Sequence, residues 1–595
     1  MRKHISIIAA ASIAAMLSGC GDTGSDDSVT VATATNPQET ISGTNTVSFT
    51  SIPTPTTDAQ KLTLQHSETV TINGTVKPID FSVIMATDTA DNGEIFGQAK
   101  DQNDQPITFA DGSPYICNGT NDGVGSGLDF SSILQKNGKL YMVSQFECQI
   151  GAMYKFELNQ DTTTGALSAK PGTLEFVSQK DEFGGFVHCA GQATPWNSHL
   201  GSEEYETDAR MVEETAGADG KTGDIYYDET AKFFGGDATK LSPYFYGWSP
   251  EVKIGADGKA VYAKHYAMGR FSHELSFVMP DKKTVYMSDD GTNVGLFMFK
   301  ADKEEDLSAG TLYAAKFIQT STENGGTFTV EWIELAHLND SAVRAEVTKM
   351  PKFSNLFDAV DPVDGVCAEG YTSVNTSWGH ECLKVKAGIS ESTVAALETR
   401  RYAAMKGATT ELRKEEGISY DPVRKKLYVA MSEIDKGMLD NGTGKYDIGG
   451  PNHIKLSKNV CGAVYEFSVN ESMITTDMQA VVLGETIETD ANGNKCHLDK
   501  ISNPDNVTML PGTDILMIGE DTSSHENNII WAFNTQTKQL DRVIATSRGA
   551  ETTSPFWYTN VNGWGYMTAV TQHPDADAAE TGQSTVGVLG PIKFK

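Results

Sequence analysis

The sequence is short of basic charge, of helical periodicity and of long apolar runs. Lys and Arg number 47 against 79 Asp and Glu, a net charge of −32, and this balance excludes a protein that binds nucleic acid through its phosphates. It favours cation binding or plain solubility instead. Beyond an apolar stretch from Ile5 to Met16, itself too short to cross a bilayer, no second apolar span occurs. No repeated Ser/Pro-rich gap divides the rest, so residues 61–595 read as a single domain.

The amino terminus combines Arg2, Lys3 and His4 with the apolar run and Leu17-Ser18-Gly19-Cys20. Residues 1–19 therefore read as a secretory signal, and the four-residue ending resembles a bacterial lipobox with Cys20 as the lipidated residue. Residues 20–60, rich in Ser, Thr, Asp and Gly, are expected to be a flexible tether because they offer little to a core. Eight cysteines suit an oxidising compartment. With Cys20 given to lipid and Cys189 set apart, six remain, and neighbours in sequence would pair as Cys117–Cys148, Cys367–Cys382 and Cys461–Cys496.

From about residue 80 short alternating runs recur between Gly, Asn and Asp. Lys139 to Phe146, Met153 to Leu158, Lys426 to Met431, Ala463 to Val469 and Ile529 to Phe533 have strand length and period two. Thr284 to Asp289 and Gly295 to Phe299 flank a turn and predict a hairpin. The repeated strand, acidic end, turn and strand predict an all-β fold, a β-propeller with inserted loops. One helix is expected near 390–406, capped by Ser392, while 208–240 and 435–458 are expected to be irregular.

Chemistry concentrates in His188–Trp196, which reads His-Cys-Ala-Gly-Gln-Ala-Thr-Pro-Trp, and in Glu203 and Glu204 shortly after it. A thiolate suits a transition metal and carboxylates suit hard cations, so a site holding both would have mixed character. If 203–204 is extended, the two side chains point to opposite faces and one of them reaches the ions. Trp196 is expected beneath the Cys189 loop. Acidic or amide clusters also stand at strand ends: Gly269–Glu274, Ser288–Gly291, Glu415–Gly417, Asn503–Asn506 and Gly519–Asp521. In a propeller such ends converge on one mouth of the channel.

These strings, with the closing Gln572-His573-Pro574, resemble the PhoX alkaline phosphatase family in identity and order over about residues 180–575. The resemblance implies a six-bladed propeller with iron and calcium in the channel and hydrolysis of phosphate monoesters, with small phosphate esters as substrates. It implies iron ligation by Cys189, Glu274 and Glu416, and calcium ligands drawn from Glu203, Glu204, Asp290, Asp505, Asn506, Glu520 and Asp521. Lys414, Arg413, Arg270 and Arg548 are the cations nearest the motifs, and Lys414 joins Cys189, Glu274 and Glu416 as the expected catalytic set. Two departures stand out. The family commonly carries a twin-arginine export signal, and an arginine followed by proline where this chain has Lys414 and Glu415. The expected protein is an exported lipoprotein of the bacterial cell envelope, held to the membrane by lipid only, and a monomer. Its competitors are a calcium-dependent lactonase or phosphodiesterase on the same scaffold, and a noncatalytic binding propeller that keeps calcium for structure.

Overall fold

The computed structural model describes residues 38–41, 45–118 and 124–594. The signal segment 1–19 and Cys20 lie outside these residues. Among them, six four-stranded antiparallel units follow one another around an axis. Blade 1 contains Gly125–Lys136, Lys139–Cys148, Ala152–Gln160 and Leu167–Ala169, and blade 2 contains Gln192–Ala193, His199–Leu200, Ser249–Ile254 and Ala260–His265. Blade 3 runs through His273–Val278, Thr284–Asp289, Phe297–Lys303 and Asp306–Ser321. Blade 4 comprises Glu415–Asp421, Lys426–Met431, Ala463–Ser468 and Asp477–Leu483. Blade 5 is Pro504–Met509, Ile515–Glu520, Ile529–Asn534 and Leu540–Ala545. Blade 6 is Glu551–Val561, Trp564–Gln572 and Thr585–Ile592, completed by the amino-terminal strand Asp80–Ala86. That last pairing joins the two ends of the chain, so no blade edge is left open where the circle closes.

The first strand of each blade lies innermost, and these six strands pack against one another in a closed ring. Apolar side chains fill the wedges between blades. Leu128 and Phe130 of blade 1 meet Val252 of blade 2 and Phe556 of blade 6. Phe277 and Phe317 of blade 3 meet Val429 and Tyr465 of blade 4. Blades 3 and 4 are further tied by Thr327–Asn339, which pairs with the outer strands of both.

Between these two blades the chain makes an excursion that ends in helices Glu391–Leu397 and Thr399–Met405. The single helix expected over 390–406 is thus two. Glu398 breaks it at φ −131°, ψ 51°, and Ser390 rather than Ser392 caps it. The cause is tertiary: buried Glu398 accepts from Tyr244 Oη at 2.8 Å and pairs with Arg401 at 2.9 Å. The stretch 208–240 is also more ordered than expected. Two of its aspartates cap helices: Asp208 caps Ala209–Thr215 and Asp224 caps Ile225–Glu229.

The tether ends earlier than residue 60. Val47–Phe49 pairs with Thr69–Ile72, and Phe49 packs near Trp557 of blade 6, because an alternating Val-Ser-Phe can bury two side chains even in a polar context. The three disulfides are Cys117–Cys148, Cys367–Cys382 and Cys461–Cys496, as sequence neighbourhood predicted. No helix among the described residues is long and apolar enough to cross a membrane.

Candidate metal centre

Inner strands carry the site, and each bends where it does so. The ladder register shifts between Leu128 and Ser131 around Asp129, between His273 and Ser276 around Glu274, and between Glu415 and Ile418 around Glu416. It shifts again between Pro504 and Val507 around Asp505 and Asn506, and between Thr553 and Phe556 around Ser554. A bulge places two residues opposite one and re-aims their side chains, so five inner strands each turn a polar group toward the axis. In blade 2 the inner strand is preceded by the loop that holds Cys189.

The result is a chain of donor groups. Asp129, Glu147 and Cys189 have ligand atoms within 4.8 Å of one another, as do Cys189, Glu204 and Glu274, and again Glu274, Glu416 and Asp505. Cys189 and Glu274 are the shared links. Among the described residues Cys189 is the free thiol, and its Sγ lies 3.6 Å from Asp129 Oδ2. Asn506 Nδ2 donates to Glu274 Oε1 and Asp505 Oδ1 at 3.2 Å each. Asp290 takes Tyr205 Oη at 2.7 Å. Lys414 Nζ stands 3.1 Å from Glu416 Oε1 and 3.8 Å from Asp290 Oδ2. Every blade contributes, since Glu551 of blade 6 shares a hydrogen bond with Asp521 of blade 5.

So many carboxylates around one ammonium group are electrostatically costly. Burial, then Asp129, pushes Glu147 up to about 8. Burial, then Asp290, pushes Glu416 up to about 7. Asp129 rises to about 6 by burial, against hydrogen bonds from Ser554 and Thr553. Glu204, Glu274, Asp505 and Glu551 are driven well above the carboxylate range by burial and then by neighbouring carboxylates: Asp290 for Glu204, Glu416 for Glu274 and Asp505, and Asp521 for Glu551. Burial and the neighbouring Glu274 raise the Cys189 thiol. Asp290 alone among them is held low: burial opposes this, but Lys414 and the hydrogen bonds from Glu204 and Tyr205 prevail. A donor set of one sulfur and many oxygens, short of positive charge, fits multivalent cations.

Not all the expected residues face this centre. Glu204 does, while Glu203 points the other way, onto Lys264 at 2.6 Å and the backbone N–H groups of Gly247 and Trp248. Alternation along an extended segment separates the two. Glu520 is also elsewhere: its oxygens accept from Ser502 N, Trp531 Nε1, Ile529 N and His525 Nδ1. With both oxygens occupied it anchors blade 5, whereas Asp521 stands by Glu551. Trp196 donates to Glu251 at 2.7 Å. Of the four candidate cations, Arg413 binds Glu433 and Thr292, Arg270 binds the carbonyls of Tyr246 and Thr207, and Arg548 binds Asp575 and Asp577. Lys414 alone of these reaches the centre.

Asp129, Glu147, Glu551 and Tyr205 escaped the sequence reading. The strand read as Lys139 to Phe146 stops one residue short of Glu147, which is flanked by a disulfide cysteine. An acidic residue at a strand end was the available signal. Arg400 was missed as well; it binds Asp289, Glu206 and Ser377, fixing the segments next to Asp290 and Glu204.

Gly417 shows how tightly the centre is built. A Cβ there would lie 2.6 Å from Asn506 Cα and 2.7 Å from Val507 N, backbone atoms that cannot rotate away. Gly417→Ala is expected to destabilise the fold by about 1–3 kcal/mol, read from denaturant unfolding; an unchanged midpoint would show that blades 4 and 5 can separate at no cost.

Above the ring opens a cleft of about 830 Å³ whose lining includes Glu147, Tyr205, Asp290 and Arg400. A fourth grouping, Cys367, His380 and Cys382, has both sulfurs in a disulfide and is no metal site.

Pseudomonas fluorescens PhoX, solved in complex with vanadate, a transition state analogue, superposes with a TM-score of 0.57 at 16% identity over 92% of this chain and 98% of that one. The hemagglutinin-neuraminidase ectodomain of parainfluenza virus 5 aligns over 93% of this chain and 88% of that one, with a TM-score of 0.36 at 7% identity, too distant to inform on function. No curated protein matches the chain. The family described as alkaline phosphatase PhoX matches residues 127–580, and with most of the sequence so covered, including all six inner strands or their greater part, the chain belongs to the alkaline phosphatase PhoX family.

Proposed function

We propose that this phosphatase-family hydrolase is a phosphomonoesterase of the cell envelope that works with iron and calcium. The observation that carries the reading is a chain of one thiol and clustered carboxylates around the axis, with Lys414 paired to Glu416 and Asp290 beside it, beneath an open cleft. Cys189 with Glu274 and Glu416 suits iron, since sulfur selects a transition metal. The oxygen donors Glu204, Asp290, Asp505, Asn506 and Asp521, together with Asp129, Glu147 and Glu551, suit calcium. When bound, such cations supply Lewis acidity toward a phosphoryl group and activate water.

The chain's own side chains orient and hold. Ser432 Oγ donates to Glu416 Oε1 at 2.9 Å, Tyr205 fixes Asp290, and the Asn506 amide bridges Glu274 and Asp505. Lys414, kept protonated by Asp290 and Glu416 despite its burial, is the cation placed to hold a phosphate oxygen. An ammonium does this as a point charge, without the two-pronged fork of the family's arginine. Lys414→Met is therefore expected to lower kcat/KM about a hundredfold, while Lys414→Arg tightens competitive inhibition by inorganic phosphate. Equal inhibition constants in the wild type and Lys414→Arg would place the side chain away from the ester.

The three disulfides fit an oxidising compartment, and Leu17–Cys20 supports export as a lipoprotein, attached by lipid alone and acting as a monomer. A panel of phosphate esters assayed with and without chelator, beside metal analysis of the purified protein, tests the whole reading. Chelator-sensitive ester turnover with iron and calcium present is expected; protein free of iron that turns over no ester would leave a binding propeller.

A further inference from the structure

Resting on the phosphomonoesterase reading, we infer that the cleft above the ring is a leaving-group subsite for apolar, aromatic alcohols and a poor one for alcohols bearing a second phosphate. Its walls carry Phe186, Val187, Tyr205, Met211, Tyr226 and Trp378. Two of these aromatics stand in the opening: Tyr205 is 51% exposed and Tyr226 54% exposed. Tyr205 adopts φ 49°, a left-handed conformation that is rare for a side chain of its size, and its hydroxyl reaches down to Asp290 while its ring stays in the cleft. Tyr226 is carried over the same opening by the helix Ile225–Glu229, whose start Asp224 fixes. Exposed aromatics that line one cleft continuous with a polar centre are the composition of a small-molecule site.

The charges of the cleft point the same way. Among the described residues Arg400 is its one lining cation, and Asp289, Glu206 and Ser377 take up its donors. Of the acidic lining residues, Glu206 is held by Arg400 and Asp208 by Arg401, while Asp224 caps its helix. A second phosphate on the leaving group would thus meet carboxylates and aromatic rings with no free donor of positive charge. An uncharged ring would meet apolar walls and lose water on binding. Hydrolysis adds the oxygen of water to phosphorus, breaks the bond from phosphorus to the alcohol oxygen, and returns a proton to that oxygen, so a neutral alcohol is left in the cleft.

The test compares 2-phenylethyl phosphate, ethyl phosphate and propane-1,3-diyl bisphosphate on the metal-replete full chain. The two monoesters release alcohols of similar acidity, so their ratio reports binding and not leaving-group chemistry. The phenylethyl ester is expected to exceed the ethyl ester in kcat/KM by about tenfold, and the bisphosphate to fall below both. Tyr226→Ala lowers the phenylethyl-to-ethyl ratio about fivefold, and Tyr226→Phe retains it, since the ring and not the hydroxyl makes the contact. Turnover of all three esters at equal efficiency, or a ratio unmoved in Tyr226→Ala, overturns the subsite and leaves the phosphomonoesterase intact. Turnover of none of them defeats the phosphomonoesterase reading and the subsite with it.

Discussion

Replacing Cys189 by alanine lowers ester hydrolysis by at least about a hundredfold and leaves the propeller folded. The thiol is the link between two donor groups, Asp129 with Glu147 and Glu204 with Glu274, and no other cysteine of the described residues is free. Its removal leaves an all-oxygen set that holds calcium but discriminates poorly in favour of iron. The fold has little stake in it: the side chain is only partly buried, and its contacts are the long one to Asp129 and one to Glu274, both members of the centre itself. Iron content and activity should fall together in Cys189→Ala while the thermal midpoint with calcium present stays near wild type. Cys189→Ser separates size from softness, restoring volume and polarity without sulfur. Iron at full occupancy with wild-type turnover in either variant would remove the thiolate from the reaction.

Stripping the cations makes stability depend on pH in the direction opposite to that of an ordinary acid-sensitive protein. A carboxyl whose folded pKa is raised stabilises the fold fully below its unfolded value and loses that contribution as pH climbs through the folded value. In the metal-free centre the folded values are about 6 for Asp129, about 7 for Glu416 and about 8 for Glu147, against ordinary values of 3.8, 4.5 and 4.5. The loss therefore runs from roughly pH 4 to pH 8. Chelated protein is expected to melt at least about 5 °C lower at pH 8 than at pH 5. Restoring calcium and iron should raise the midpoint most at pH 8, because the cations then take the place of protons that have left. Calorimetry across this range with and without chelator measures both effects. A chelated protein that gains stability as pH rises would mean that these carboxyls are not crowded together, and the centre described here would fail.

The two outcomes share a cause that was only partly legible in the amino-acid order. Glu416-Gly417 and Asp505-Asn506 were visible because each is a compact string at a strand end, and the structure explains why the glycine sits there, with blade 5 backbone pressed against it. Glu203 and Glu204 could be recognised as a pair with one useful member; which of them it is depends on Lys264, well downstream and in another strand of the same blade. Glu520 and Asp521 look equivalent in sequence, yet Trp531 and His525 claim the first. Asp129 carries no motif at all and enters through a register shift, a feature set by pairing with the neighbouring strand.

The amino-acid order by itself determined the fold class, through period-two runs between turn residues, and the family, through short strings in a fixed order, and it favoured the chain-neighbour disulfide pairing that the structure bears out. All three are local or sequential properties. Tertiary structure alone decided which carboxylates meet Cys189, that Lys414 is the cation among them, and that an aromatic cleft stands above. Those facts depend on five bulged inner strands and the Cys189 loop, far apart in sequence, turning toward one axis, and an angle between blades is written in packing, not in any one segment.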